Sequence, residues 1–504
     1  MSSVVTGIGT APSRISPSIS IHHAGTRVTC EIERPGDLLA HTLEITFEKS
    51  GLAMPTLAHR LAKYAVGLEF ERLPEAVVHE VKRRMIDSIG CALGAMDAEP
   101  CMIARRVAES SSAQHGATLI GTATRAPQDW ATFVNGCLIR YLDFNDTYLS
   151  KEPAHPSDNI AAALAVAEAE ATPGRELIVA IALAYEIQCR LCDVASLRAR
   201  GWDHVTYVAF SSALAGTRLM RLDVEKTKHA VNIAGVSAGS LRQSRAGELS
   251  HWKACTVAHA ARRGIFAALL AREGMTGPAP IFEGEMGFER LLSQAPLGSV
   301  VLSPDASMIL KTSIKFWPAE YHSQSAIEAA LRLRQQVGNV KKIESIVIQS
   351  HDAAVEIIGS DPAKWRPQSR ETADHSLPYI VAVALTDGEI TERQFAPERF
   401  GDPALLDLVQ RVKVERQAGL SACYPEAVGN IVTLRLPDNR ELREPVYYPP
   451  GHSKNPLSDA QLEVKFHSLA DPRLGRERAS TVLETAWRLD AMEDAGAILR
   501  LLAP

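Results

Sequence analysis

From Thr56 to about residue 275, apolar positions recur every three to four residues, the period of an α-helix that buries one face. Leu57, Leu61, Tyr64 and Leu68 make the first such stripe. A second opens at Pro74, a residue suited to a helix start, and carries Val78, Val81, Met85, Ile89 and Leu93. The same spacing predicts helices over Ile160–Ala171, Arg175–Asp193, Val224–Ser237 and Thr256–Glu273, the last closed by Gly274. Many of these faces are Ala, Gly and Ser, so the helices can approach closely. After about residue 308 the texture changes. Ile343–Ser350 and Asn430–Leu436 alternate β-branched and polar residues, as strands do, and Pro437-Asp438-Asn439 after the second predicts a hairpin turn. Helical stretches lie between them, and from Ser458 the helical period returns. The expected fold is mainly α with an inserted α+β domain. A helical body is built from 55–308 and 451–504, and a smaller α+β lid from 309–450. Residues 1–54 show no sustained period and are expected to be a poorly ordered extension.

Composition narrows the function classes. A net charge of −5 and a pI near 6.4 supply no basic surface, so no nucleic-acid partner is expected. No apolar run approaches the roughly 18–20 residues needed to span a bilayer, so no membrane partner is expected either. The eight Cys are scattered, as in a reducing compartment, and the chain is expected in the cytoplasm. The alternative is the mitochondrial matrix, if residues 1–50 act as a transit segment: residues 1–30 hold no Asp or Glu and are rich in Ser and Thr. The single C-x-x-C, Cys189 and Cys192, lies inside a helical pattern and reads as two small core residues. There is no phosphate-binding loop, no nucleophile elbow and no H-E-x-x-H, and no cofactor or metal is expected.

One stretch breaks the apolar texture. LDFNDTYLSKEPAHPSDN, Leu142 to Asn159, puts acids, a Thr and a His between two apolar segments. It reads either as a solvated, capped connection or as a loop that gathers a base, an acid and an anion clamp. In the second reading Ser157 or Asp158 caps the next helix, whose free N–H groups face a bound carboxylate. Other polar groups stand in apolar company: His204 in GWDHVTYV, Lys253 in LSHWKACTVAHAARRG, Lys315 in IKFWPAEYHSQ and Tyr379 in DHSLPYIVAV. Each taken singly suits a core or capping role.

Taken together, LDFNDT, AHPSDN, GWDHV, the SLR of Ser240–Arg242, FWPAEYHSQ and DHSLPYIVA resemble, in order, the MmgE/PrpD group, the 2-methylcitrate dehydratase family. The likeness covers about residues 56–470 and is closer to the dehydratase branch than to the cis-aconitate decarboxylase branch. It implies a helical domain with an α+β lid, usually as a homodimer, acting on small-molecule tricarboxylates such as 2-methylcitrate in propionate breakdown. By matched motif the catalytic set would be Asp143, His155, His204, Lys253, Lys315 and Tyr379, with Thr147, Ser157, Arg242 and His322 around the substrate. Lys311 is the alternative to Lys315.

Dehydrating a β-hydroxy tricarboxylate needs a base for the α-proton, an acid for the hydroxyl, and cations on the carboxylate that becomes enolate-like. The expectation is that His155 and Asp143 work around the reacting C–H and C–OH, with His204 as second proton-transfer group and Thr147 and Tyr379 orienting the substrate. Alternatives on the same scaffold are cis-aconitate decarboxylation, citrate dehydration and epimerisation. Outside catalysis, the alternative is a non-catalytic tricarboxylate-binding protein.

Overall fold

The computed structural model describes residues 18–24, 27–33, 41–46 and 55–503, except Ser112 and Glu248. The chain divides into two compact units, 1–55 and 56–504.

In the first unit Ser18–Ala24, Arg27–Glu33 and His41–Thr46 form a three-stranded antiparallel sheet in sequence order. This corrects the expectation of a segment without period. Ile19 and Ile21, then Val28, Cys30 and Ile32, then Leu43 and Ile45 alternate with polar residues, but in runs of only six or seven. Residues 1–17, where part of the transit-segment reading falls, lie outside the described residues.

Among the described residues the second unit has two large hydrophobic cores. One runs from Leu57 to Ile314 and resumes from Leu457 to Leu502; the other runs from Trp317 to Val446. The helices of the first include Glu75–Gly94, Gln128–Tyr141, Ile160–Ala169, Gly174–Val194, Val208–Leu219 and Trp252–Arg272. Trp252–Arg272 packs between Gln128–Tyr141 and Val208–Leu219. Small residues set that spacing: a Cβ on Gly136 would stand 2.9 Å from the Ala258 Cβ, and one on Gly264 2.5 Å from the Ala209 carbonyl. Asp459–Leu474 returns from the C-terminal end to lie on Glu75–Gly94.

The second core lies under a four-stranded mixed sheet in the order Val412–Arg416, Ser345–Ser350, Asn430–Arg435, Glu441–Val446. Only the first pair is parallel. The last two strands are the predicted hairpin, turned through Asn439 at φ 59°. Gln324–Arg334 and Leu377–Asp387 cover the sheet with their apolar faces. Cys189 and Cys192 are buried and unbridged. Among the described residues no helix is long and apolar enough to cross a membrane.

Candidate active site

The two cores meet at a cavity of about 280 Å³, near the lower end of small-molecule sites. Asp143, Thr147, His155, His204, Arg242, Lys253, Lys315 and His322 all line it. So do Arg140, Arg198, Arg245 and Lys364, which the sequence reading did not single out. Seven Arg and Lys side chains face five Asp and Glu, against a chain that is net negative. The cavity is thus set up for an anion by local charge.

The polar loop begins where the Gln128–Tyr141 helix ends. Asp143 adopts the left-handed region, φ 51°, which Asp tolerates better than most residues. That turn aims its carboxylate at three cations. Arg140 forms a short ion pair with it, Lys315 Nζ lies 3.0 Å from Oδ1, and Lys253 Nζ lies 3.8 Å from Oδ2. Burial alone would raise the Asp143 pKa, but the three cations outweigh it and hold the carboxylate ionised. Lys315 Nζ also donates to the Asp143 carbonyl at 2.7 Å. Lys253 sits in the first turn of its helix, where the dipole disfavours a cation; Asp143 and Asp374, the latter 3.6 Å away, offset that. Burial lowers the pKa of both lysines.

The rest of the loop is tied down by buried hydrogen bonds. The Ser157 N–H donates to Asp146 Oδ1 at 3.0 Å, and Tyr185 donates to Asp146 Oδ2 at 2.8 Å. Thr147 exchanges backbone hydrogen bonds with Ser313, both 2.8 Å, which ties the loop to the chain leading into the α+β part. The expected helix cap is not formed. Ser157 and Asp158 lie within a 3₁₀ turn, Pro156–Asn159, that runs directly into Ile160–Ala169. Ser157 Oγ instead accepts from Asn145, 2.9 Å, its N–H is held by Asp146, and Ser157 is not among the residues that line the cavity.

Two histidines face each other with ring centroids 5.7 Å apart. His155 Nδ1 lies 2.6 Å from the Asp146 carbonyl, which can only accept, so the proton is assigned to Nδ1. Nε2 then accepts from Arg140 at 3.1 Å. Burial, and after it Arg140 and Lys315, keep this ring neutral. His204 differs. Its Nδ1 lies 2.9 Å from Asp203 Oδ1, and its buried Nε2 has no hydrogen-bond partner in the protein. Asp203 is fixed by Arg245 Nε, at 3.0 and 2.9 Å from its two oxygens, and by Ser244 Oγ at 2.7 Å. Burial holds the His204 pKa down to about 4, with Asp203 working against it. The result is a neutral imidazole with a free, oriented lone pair at the cavity.

Tyr379 does not reach the cavity. It is buried in the α+β core, and its hydroxyl donates to the Gln394 carbonyl. The group from that segment that does reach it is His375, four residues earlier. Its Nδ1 lies 2.5 Å from Asp374 Oδ1 and its Nε2 3.6 Å from Asp143 Oδ2. Asp143, Asp374 and His375 converge closely enough to suggest a metal cluster. Lys253 Nζ, 3.3 Å from His375 Nδ1, occupies the same neighbourhood, so their cation is an ammonium. Lys311 is exposed, away from the cavity that Lys315 lines.

Residues 59–298 match the MmgE/PrpD N-terminal domain and residues 317–490 the MmgE/PrpD C-terminal domain. The chain belongs to the MmgE/PrpD family. It is 30% identical to 2-methylcitrate dehydratase of Escherichia coli K12, over 73% of this chain and 81% of that protein. It is 30% identical to 2-methylcitrate dehydratase of Cupriavidus necator, over 81% and 89%. Cis-aconitate decarboxylase of Mus musculus is 26% identical, over 86% and 91%. The MmgE/PrpD relatives are lyases, and this chain is an enzyme of that family.

Proposed function

We propose that this MmgE/PrpD chain is a 2-methylcitrate dehydratase, eliminating water from a β-hydroxy tricarboxylate without a metal ion. The observation that carries the reading is His204. A neutral imidazole with its Nδ1 held by a carboxylate and its Nε2 free, in a cavity lined by cations, is what α-proton removal from a polyanion needs. Lys253 and Lys315 supply charge for the carboxylate that becomes enolate-like as the proton leaves. Arg140 can turn from His155 Nε2 to a substrate carboxylate. Thr147 and Arg242 line the same wall and orient the substrate. The names of the E. coli and C. necator relatives support the substrate class. A homodimer in the cytoplasm, or in mitochondria as the Yarrowia lipolytica relative's name has it, completes the proposal.

The test is ultraviolet absorbance of the new conjugated C=C–carboxylate, with 2-methylcitrate and citrate in parallel and chelator present. A rise with 2-methylcitrate that survives chelation, and that is lost in His204→Ala, supports the reading. No rise, with carbon dioxide released from cis-aconitate, transfers the chain to the chemistry named for the mouse relative. Binding of tricarboxylates without turnover returns it to a non-catalytic role.

A further inference from the structure

Elimination of water needs an acid for the departing oxygen as well as a base, and the cavity holds a carboxyl group placed for that task. Glu320 enters from the α+β side, at the start of the Tyr321–Ser323 turn. Its backbone N–H donates to the Asp374 carbonyl at 2.9 Å, and its Oε2 accepts the His322 N–H at 2.8 Å, so the carboxyl is fixed in place. Among the described residues Oε1 has one Lys, Arg or His neighbour within 4 Å, His322 Nε2 at 3.8 Å. His322 is itself neutral, because burial holds its pKa down to about 3.

Three of the other carboxyl groups of the cavity are committed, and Glu152 is partly so. Asp143 meets three cations. Glu152 Oε2 accepts from Ser196 Oγ at 2.9 Å and from the Arg198 N–H at 3.0 Å. Glu356 pairs with Arg416 on the exposed side, and Asp361 caps its own exposed turn. Among the described residues, Glu320 and Glu152 are the two enclosed carboxyls of the cavity without a cation within 4 Å; Glu320 has one hydrogen-bond donor where Glu152 has two, and of the two only Glu320 enters from the α+β side, opposite His204.

We propose that Glu320 protonates the departing hydroxyl, acting from the α+β side of the cavity against His204 on the helical side. The inference rests on the dehydratase reading and deepens it. His204 Nε2 takes the α-proton, and the C–H electron pair becomes the C=C π bond. The C–O pair leaves with the oxygen, which takes the Glu320 proton and departs as water. His204 then gives its proton to solvent and Glu320 takes one back. Decarboxylation of an already unsaturated tricarboxylate expels no hydroxide and has no such task for Glu320.

Burial favours the protonated carboxyl. His375 and Lys315 oppose this and Asp143 reinforces it, without reversing the direction. Lys364 and the phenols of Tyr321 and Tyr424 complete the chargeable surroundings. An acid must hold its proton to act, so wild-type turnover should fall as pH rises through the raised Glu320 pKa.

The experiment compares wild type, Glu320→Gln, Glu320→Asp and Glu152→Gln on 2-methylcitrate across pH. Glutamine keeps the bond to the His322 N–H and removes the proton. The expected result for Glu320→Gln is a kcat lower by about 10²–10⁴-fold, with KM little changed and the alkaline limb gone. Glu320→Asp should recover part of the rate, and Glu152→Gln should keep the limb. Turnover in Glu320→Gln within a few-fold of a dehydrating wild type would overturn this inference alone. So would loss of the limb in Glu152→Gln with the limb kept in Glu320→Gln. A wild type that decarboxylates and does not dehydrate would overturn the inference together with the reading beneath it.

Discussion

At the scale of single residues, the chemistry of the cavity depends on second partners as much as on the groups that face it. Asp203 illustrates this. Its carboxylate selects the His204 tautomer, and its own position is set by Arg245 and Ser244. Asp203→Asn should lower kcat by about 10–100-fold with little change in KM, as loss of an orienting partner does elsewhere. The pH profile adds a sign. In the proposed dehydration His204 acts as base only when neutral, so wild-type activity should fall as pH drops through about 4. The Asp203 charge favours the protonated ring, so removing it moves that acid limb to lower pH; a limb that stays in place would refute the orienting role. His204 was legible because GWDHV puts an ionisable group at the mouth of an apolar helix. His375 was not, although it stands in the same DHSLPY run as Tyr379. The two are four residues apart, but the Leu377–Asp387 helix begins between them. Tyr379 therefore lies within the helix and turns into the core, while His375 stays on the turn before it. Arg140 was hidden for a related reason: it lies in the last turn of an apolar helix, and only the left-handed turn at Asp143 brings the loop back over it.

Among the elements, helices with a long stripe were legible to within a few residues. Val224–Ser237 appears as read, and Arg175–Asp193 is observed as Gly174–Val194. The strands of 18–46 were missed because period two over six or seven residues is a short signal. The role of the returning C-terminal helix was also not visible, because it depends on contacts more than 140 residues apart. Lys465, on Asp459–Leu474, reaches under the site: its Nζ lies 2.6 Å from Asp87 Oδ1 and donates to the carbonyls of Phe144 and Lys315, each at 2.8 Å. One ammonium therefore braces both the loop that carries Asp143 and the strand-like segment that carries Lys315. Lys465→Met should cost about 3–5 kcal/mol, because Asp87 is fully buried and would lose its cation. Adding Asp87→Asn should return much of the stability in urea unfolding and little of the activity, since the two carbonyls still lack their donor. Equal recovery of both would mean that the helix stabilises the body without positioning the site.

For the whole molecule, the cavity matters because its cations come from both cores. Lys253 belongs to the helical part, where Asp143 and Asp374 balance it. Lys364 belongs to the α+β part, and among the described residues no carboxylate lies within 4 Å of its ammonium, although the side chain is buried. Burial lowers its pKa for that reason. A bound tricarboxylate would bridge the two parts and give Lys364 the counter-ion it lacks. Tricarballylate, which has the three carboxylates and no hydroxyl to lose, should therefore raise Tm. At a hundred times its Kd the gain is about 2.7 kcal/mol by linkage. Acetate at the same ionic strength should do much less, since it cannot reach both sides. Lys364→Met separates ligand binding from simple packing. Removing an uncompensated buried charge should leave the ligand-free Tm unchanged or higher, while the tricarballylate shift shrinks. If Lys364→Met lowered the ligand-free Tm and left the shift intact, Lys364 would be a structural lysine and the anion would sit on the helical side alone.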